Sequence, residues 1–452
     1  MDITKADSYL ENNLDDSINE LIELCKIPTI SAQKLNLDEG AAYVGKLLEQ
    51  RGFNVEIHPT KGAPIVYAER KGSGDKTLLF YNHYDVQPPE PLELWDSPAF
   101  EPELRDGFLY ARGVSDDKGH ITSRLFALDA ILDQLDELPC TVKFVIEGEE
   151  ETSSENIPPF VRANAELLAA DACIWEFGSV NHEDIPQQFL GLRGICYVEL
   201  SVETANTDTH SGIGGTIFPN AAWRLVWALN TLKGEDERIR IPGHYDNVIP
   251  PSERDLELIA KLPEVSEEFK SRYGVKHFTK GTTGEVELQT QAVFEPSCTI
   301  CGITTGYQGP GSKTVLPAKA SAKVDFRLVP DQTPEEILEK LRTHLDAEGF
   351  DDIKIEYLGG EAPGRTDPDD PFIKIVVETA EEPYGVPMAV VPMIGGSGPN
   401  HVFLDALKLP VATAGMGYPG SNTHAPNENI GLDHYLKHAR HIVRIIEEFS
   451  KV

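Results

Sequence analysis

The sequence predicts an α/β fold in which a domain with a mostly parallel sheet, flanked by helices, is interrupted by an inserted α+β domain. The chain of 452 residues exceeds the usual size of one hydrophobic core, so at least two domains are expected. Its first part alternates helix-like and strand-like segments, which is typical of a sheet covered by helices. After Gly191 the strand-like segments alternate apolar and polar residues, as half-exposed strands do. We predict an outer domain of residues 1–191 and 367–452 and an insertion of residues 192–366.

Apolar periodicity locates the elements of the outer domain. Helical spacing of apolar residues predicts helices at 15–26, 40–51 and 124–135. Short apolar segments bounded by glycine and proline predict strands at 55–57, 65–67, 77–81, 141–146, 388–391 and 410–414. The proline-rich residues 367–371 break the chain before a further amphipathic helix.

The insertion has its own set of elements. Strands are predicted at 195–202, 286–289 and 320–328, and helices at 221–232 and 333–348. Thr333 suits the N-cap of the last helix, because its hydroxyl can accept a backbone N–H, and Pro334 suits the first helical position.

Charge and composition exclude several classes of function. The formal net charge of -34 argues against binding to nucleic acid or to anionic membranes. The N-terminus lacks a basic segment followed by an apolar one, and no apolar run approaches the length of a membrane span. Six cysteines are few for this length and are expected to be reduced thiols. We therefore expect a cytoplasmic protein.

Histidines and carboxylates follow several of the predicted strands. His83 and Asp85 come at the end of a strand and, two residues apart, would share one face of it. Further candidates are Asp116, Asp117, the acidic run 147–151, Glu176 and His424. Such groups would gather at one edge of a parallel sheet, and clustered carboxylates need cations to hold them together.

Mixed nitrogen and oxygen ligands suit zinc or manganese better than calcium. Two such ions would lower the pKa of a water molecule, and a neighbouring carboxylate could take its proton, so the chemistry implied is hydrolysis. Taken singly, each motif has another explanation: a histidine at a strand end is often structural, and an acidic run is often solvated surface. The ordered series of motifs favours the metal site.

The order of the motifs resembles one peptidase family. The segments that carry the resemblance are His83-Tyr84-Asp85, Gly113 to Gly119, Glu147 to Glu151, Leu192-Arg193-Gly194, His210-Ser211-Gly212, Phe326 to Pro330 and Asn422-Thr423-His424. In this order they are similar to the di-metal peptidase family of carnosinases, cytosolic nonspecific dipeptidases, aminoacylases and glutamate carboxypeptidases. The amino-acid sequences of these motifs are most similar to those of the carnosinase and nonspecific dipeptidase branch.

The resemblance implies roles for individual residues. It implies two divalent ions per subunit, one held by His83, Asp116 and Glu176 and the other by Asp116, Glu151 and His424. Asp85 would orient a ligand histidine, and Glu150 would be the general base. The run of three glutamates leaves the register of base and ligand open within residues 149–151.

The resemblance also implies roles for the insertion, as a lid and dimerisation domain. His210 would reach the active site of the partner subunit and stabilise the oxyanion, so a homodimer is expected. Arg327 would bind the substrate carboxylate in a bidentate contact. Gly396, Ser397 and Thr314 are expected to border the same pocket.

The function predicted in this way is hydrolysis of small peptides, most plausibly dipeptides, by a metal-activated water with a glutamate base. One alternative keeps the chemistry and changes the substrate, giving an N-acyl amino acid deacylase or a carboxypeptidase. The other is a non-catalytic binding protein of the same fold, which would be expected to lack a ligand or the base. All of these residues are present in the sequence.

Overall fold

A computed structural model of the chain describes residues 1–452, which divide into two compact units. The first consists of Met1–Gly191, Arg365–Pro392 and Pro399–Val452, and the second of Leu192–Gly364 and Met393–Gly398. The predicted fold class, an α/β domain interrupted by a second domain, is confirmed. The short segment Met393–Gly398 belongs to the second unit although the chain on either side of it belongs to the first.

The first unit is built on a six-stranded sheet. In spatial order its strands are Asn54–His58, Ile65–Arg70, Thr141–Glu147, Thr77–His83, Ala172–Trp175 and Val411–Thr413. The last four run parallel to one another. Ile65–Arg70 pairs antiparallel with Thr141–Glu147, and Asn54–His58 pairs antiparallel with Ile65–Arg70 at the edge. Every residue of Thr141–Glu147 is buried, as expected for an inner strand covered on both faces.

Helices surround this sheet. They are Ile3–Asn12, Leu14–Cys25, Leu37–Gln50, Lys118–Leu132, Ile157–Ala163, Pro371–Tyr384, Asn400–Ala406 and Leu432–Phe449. Two small three-stranded sheets complete the unit, one of Glu103–Arg105, Phe108–Tyr110 and Asn429–Gly431, the other of Ser179–Val180, Pro186–Phe189 and Ala389–Val391. Helix Lys118–Leu132 is buried on almost all sides, which fixes the position of the turn that precedes it.

The second unit is built on a four-stranded antiparallel sheet. Its strands, in spatial order, are Ser297–Thr305, Lys319–Leu328, Gly194–Glu203 and Lys354–Glu361. Helices Ala221–Leu232 and Pro334–Ala347 contribute to its hydrophobic core. Shorter elements are Thr209–His210, Ser211–Gly214, Glu253–Ile259, Ser266–Tyr273, Glu285–Phe294 and Val315–Leu316. The predicted cap is present, since the Thr333 side chain accepts the N–H of Glu336.

One predicted element of the insertion is wrong. Residues 286–289, expected to be a strand, lie within the helix Glu285–Phe294. Val286, Glu287, Leu288 and Gln289 alternate apolar and polar residues, but four residues are too few to distinguish the period of a strand from that of a helix. Glutamates in the first turn favour the positive end of a helix dipole, and this local preference agrees with the helix that forms.

All six cysteines are free thiols, and all but Cys301 are buried. None of the helices combines the length and the apolar character needed to span a membrane.

The burial of one histidine in the first unit predicts a loss of stability in acid. His441 is fully buried on helix Leu432–Phe449, its Nε2–H donates to the carbonyl oxygen of Val376 at 2.8 Å, and its Nδ1 has no hydrogen-bond partner. Burial lowers the pKa of His441 to about 4, although the hydrogen bond to Val376 opposes this shift. The imidazole is therefore neutral in the folded chain at pH 7.

We expect His441→Gln to reduce the loss of stability in acid. The folded pKa lies below that of the unfolded chain, so the unfolded state binds the proton first as the pH falls from about 6.5 toward 4. This one group then removes about 1.4 kcal/mol of stability per pH unit in that window. Glutamine can keep the hydrogen bond without titrating. Thermal unfolding between pH 7 and pH 4.5 should give a shallower fall for the variant, and equal slopes would contradict the assignment.

Candidate active site

His83 ends an inner strand of the first unit, and Asp85 holds its ring from behind. Strand Thr77–His83 ends at the histidine, so Asp85 lies in the loop that follows and not on the strand itself, as the spacing had suggested. The Nδ1 atom of His83 is 3.1 Å from the backbone oxygen of Asp85 and 3.3 Å from its Oδ1. When Nδ1 carries the only ring proton, Nε2 can bind a cation in place of its contact with Asp116.

The carboxylate of Asp116 lies between two histidines that come from opposite ends of the sequence. Its Oδ1 is 3.0 Å from Nε2 of His83, and its Oδ2 is 2.9 Å from Nε2 of His424. Asp116 precedes helix Lys118–Leu132, so the buried helix positions this carboxylate at the sheet edge. The geometry suits a carboxylate shared by two cations.

The acidic run 147–151 begins at the end of strand Thr141–Glu147, and its last two residues lie in a single helical turn, Glu150–Thr152. The carboxylate of Asp85 accepts the backbone N–H groups of Glu150 and Glu151, at 3.2 and 3.1 Å. Asp85 thus fixes both His83 and this turn. The Oε2 atom of Glu151 lies 3.1 Å from Nε2 of His424.

Glu176 follows strand Ala172–Trp175 and is buried. Its Oε2 atom has no hydrogen-bond partner. Together with Asp116, Glu150 and His424 it lines a cavity of about 310 Å³. The other lining residues are Ser115, His120, Phe177, Gly178, Ser179, Gly417, Tyr418, Ser421 and Thr423.

The site carries more negative charge than its histidines balance. Burial raises the pKa of Glu150 to about 8; the charge of His83 opposes this rise, and the carboxylate of Asp116 adds to it. Burial likewise raises the pKa of Glu176 well above its usual value, with Glu150 adding to the effect. Hydrogen bonds from His424 and His83 hold the pKa of Asp116 below its usual range against the effect of burial. Cations placed here would relieve this repulsion.

These residues fit a pair of divalent ions. One oxygen or nitrogen atom from each of Asp116, Glu151 and His424 lies within 4.8 Å of the other two. The orphaned oxygen of Glu176 and the Nε2 atom of His83, which contacts Asp116, can serve as further ligand atoms, and the set of imidazoles and carboxylates suits zinc or manganese.

Three buried residues support the site in ways that were not predicted. Asp117 accepts the side-chain N–H of Asn82 at 2.6 Å and the backbone N–H of His83 at 3.1 Å, so it points away from the cavity. Arg124 donates to the carbonyl oxygens of Tyr81, Trp175, Glu176 and Ala414, which come from three strand ends. Glu428 accepts four hydrogen bonds around Asp116. Of these three residues, only Asp117 was a candidate from the sequence, and it was not expected in this role.

In the second unit, Arg327 is held in place by its neighbours. Its Nη1 donates to Oγ of Ser397 at 2.9 Å, and its Nε to Oδ2 of Asp325 at 3.2 Å. Ser397 and Gly396 belong to the short segment Met393–Gly398, which is part of the second unit. The guanidinium of Arg327 is partly exposed.

His210 ends the short strand Thr209–His210 of the second unit, and Thr314 directly precedes the strand Val315–Leu316 that pairs with it. The Nδ1 atom of His210 accepts the N–H of Gly212 at 3.0 Å, which places the ring proton on Nε2. Nε2 lies 3.4 Å from the Thr314 hydroxyl, and both side chains are exposed. His210 therefore presents an N–H donor.

Comparison with known proteins identifies the family. The sequence pattern of Peptidase family M20/M25/M40 matches residues 79–448, which is most of the chain. The chain belongs to this family. It is a metallopeptidase, and the resemblance found in the sequence is confirmed.

Individual relatives agree with the predicted branch. The Beta-Ala-His dipeptidase of Rattus norvegicus is 27% identical over 398 residues, covering 86% of this chain and 80% of that protein. The Cys-Gly metallodipeptidase dug1 of Schizosaccharomyces pombe is 27% identical over 476 residues, covering 100% and 99%. The M20 family metallo-carboxypeptidase Sso-CP2 of Sulfolobus solfataricus has a solved structure with a TM-score of 0.91 and 36% identity, covering 96% of this chain and 99% of that one. Hydrolysis of peptide bonds in small peptides is confirmed as the function, and a non-catalytic role is not favoured.

Proposed function

We propose that this metallopeptidase is a dipeptidase that binds two zinc or manganese ions and works as a homodimer in the cytoplasm. The observation that carries the proposal is the position of the Asp116 carboxylate between His83 and His424, beside Glu150. The names of the two curated relatives support the dipeptide substrate. Six free thiols suit a reducing compartment.

We assign one ion to His83, Asp116 and Glu176 and the other to Asp116, Glu151 and His424. When bound, the ions would supply Lewis-acid chemistry, lowering the pKa of a water molecule and polarising the peptide carbonyl. Glu150 is within reach of the same cavity without being a ligand, and it takes the proton of the attacking water. It then gives this proton to the nitrogen of the leaving amine. Asp85 keeps the ring of His83 and the turn of Glu150 in position.

Arg327 binds the C-terminal carboxylate of the substrate in this proposal. Its guanidinium is pre-oriented by Asp325 and Ser397, so little side-chain entropy is lost on binding. Gly396 and Thr314 would border the same pocket. A free C-terminal carboxylate is what dipeptides and the substrates of carboxypeptidases have in common.

We expect Arg327→Lys to raise KM for a dipeptide about 10- to 100-fold with a smaller effect on kcat, because an ammonium cannot make the bidentate contact. The measurement is steady-state hydrolysis of one dipeptide and of its C-terminal amide. The amide should be a poor substrate for the wild type and should be little affected by the substitution. An equal loss for both substrates would contradict carboxylate binding by Arg327.

The homodimer is supported by the exposed face of the second unit. Strand Ser297–Thr305 is the edge of its sheet, and residues 299–304 are exposed. On helix Ala221–Leu232 the side chains of Trp223 and Trp227 are stacked and more than half exposed. An unpaired edge strand beside exposed tryptophans is the kind of surface that pairs with a second copy. His210 would then act on the substrate of the partner subunit.

A second candidate is a carboxypeptidase, because the structurally similar Sulfolobus solfataricus protein with 36% identity carries that name. The experiment that separates the two uses dipeptides, tripeptides, longer peptides and N-acetyl amino acids, assayed with zinc and with manganese. A dipeptidase should cleave the dipeptides and lose most activity on peptides of four or more residues. Equal activity on long peptides would identify a carboxypeptidase, and activity confined to N-acetyl amino acids a deacylase.

A further inference from the structure

Glu428 is fully buried in the first unit and accepts hydrogen bonds on both carboxylate oxygens. Its Oε1 accepts the backbone N–H groups of Ser115 and Asp116, at 2.9 and 3.0 Å. Its Oε2 accepts the N–H of Gly113 at 2.9 Å and Nη1 of Arg112 at 2.7 Å. One side chain therefore satisfies three backbone donors of the turn that carries Asp116.

The same residue belongs to the segment that carries the other ligand. Glu428 comes four residues after His424, and neither residue lies in a helix or strand. The Asp116 turn lies outside regular structure as well. Backbone pairing joins the chain before this turn to the chain after His424, since Phe108–Tyr110 pairs with Asn429–Gly431 and the N–H of Ala111 donates to the carbonyl oxygen of Glu428 at 3.1 Å. The side chain of Glu428 extends this connection to residues 113, 115 and 116 of the turn itself. Asp116 and His424 come from segments about 300 residues apart in sequence. Their 2.9 Å contact therefore depends on the interactions that hold those two segments together.

We propose that Glu428 is a positioning residue that joins the Asp116 turn to the His424 segment and so sets the affinity of the site for its metal ions. The proposal rests on the assignment of Asp116 and His424 as ligands. Glu428 touches neither the cavity nor the substrate; it acts by holding the ligands in the geometry that binding needs before the ions arrive. Residues of this kind commonly change metal affinity by about 10- to 100-fold.

Glu428→Gln is the informative substitution. A glutamine keeps one acceptor oxygen but turns an NH₂ group toward two of the donors that the carboxylate now satisfies. The matched control is Asp129→Asn. Asp129 is in the same unit, in a bidentate pair with Arg51 at 2.8 and 2.7 Å, and is not among the groups around the cavity.

The experiment titrates the full-length chain, freed of metal by a chelator, with Mn²⁺ in a calorimeter, and follows thermal unfolding of the same samples. Both variants should lower the unfolding temperature. Only Glu428→Gln should weaken Mn²⁺ binding, by about tenfold or more, whereas Asp129→Asn should stay within about twofold of the wild type. Wild-type affinity in Glu428→Gln, or equal weakening in Asp129→Asn, would overturn the proposal.

If Glu428→Gln shows no cooperative unfolding transition, Glu428→Asp decides the question. It keeps the charge but is one methylene shorter, so it cannot reach all four donors; weaker Mn²⁺ binding supports the proposal, and unchanged binding overturns it. The proposed function fails separately, if the wild type binds Mn²⁺ but cleaves no dipeptide.

Discussion

Glu150→Gln is expected to lower kcat for a dipeptide by about 10²- to 10⁴-fold, because the amide cannot accept the proton of the attacking water. KM and the number of bound ions should change little, since Glu150 is not among the proposed ligands. The measurement is steady-state kinetics, combined with metal analysis of the same protein. A variant that keeps its ions and full turnover would show that Glu150 is not the base.

Glu149→Gln is the matched control, and it also tests the register of the acidic run. The carboxylate of Glu149 accepts the side-chain N–H of Asn156 at 2.5 Å and does not line the cavity of about 310 Å³. We expect its kcat to stay close to that of the wild type. A large loss in Glu149→Gln with little loss in Glu150→Gln would move the base by one residue.

Mixing two inactive variants should restore activity if His210 acts across the dimer. His210→Ala lacks the oxyanion donor and Glu150→Gln lacks the base, so neither homodimer should turn over at an appreciable rate. In a mixed dimer, the site of the His210→Ala chain keeps its own Glu150 and receives His210 from the other chain. Random exchange should therefore restore about a quarter of the wild-type activity, since half of the dimers are mixed and each has one complete site.

Subunit exchange must be shown independently, for example with two affinity tags purified in sequence. The control mixes Glu150→Gln with His83→Ala chains. In that pair, the site with an intact base lacks a metal ligand, so no site is complete and no recovery is expected. Proven exchange without recovery in the first mixture would mean that His210 acts within its own chain or not at all.

Much of the fold could be predicted from sequence because its signals are local. Strands such as Thr77–His83 and Thr141–Glu147 are short apolar runs, and the helix Ala221–Leu232 has helical spacing throughout. The predicted strand at 286–289 failed because four residues are too few to distinguish the two periods, and the preferences of the longer segment Glu285–Phe294 favour a helix. Residues 393–398 could not be assigned to the second unit, since Ser397 meets Arg327 only in the folded chain.

The candidate site also contains residues that the sequence indicated and residues that it did not. The ligand roles of His83, Asp116, Glu151, Glu176 and His424 were implied by the family resemblance of the motifs that contain or surround them, and their assignment as ligands stays a prediction. The residues that hold these side chains in position could not be identified from the sequence. The contacts of Glu428 with residues 113, 115 and 116 and those of Arg124 with strand-end carbonyls join segments distant in sequence. Neither residue belongs to a local pattern that would indicate what it binds.

The central claim is that this chain cleaves dipeptides by means of metal ions held at the Asp116 site. The most direct test removes metal from the full-length protein with a chelator and measures hydrolysis of a dipeptide while zinc or manganese is added back. We predict that activity is lost and then returns, reaching its plateau at two ions per chain. Undiminished hydrolysis by the metal-free protein, or no hydrolysis of any dipeptide after both metals are restored, would contradict the claim.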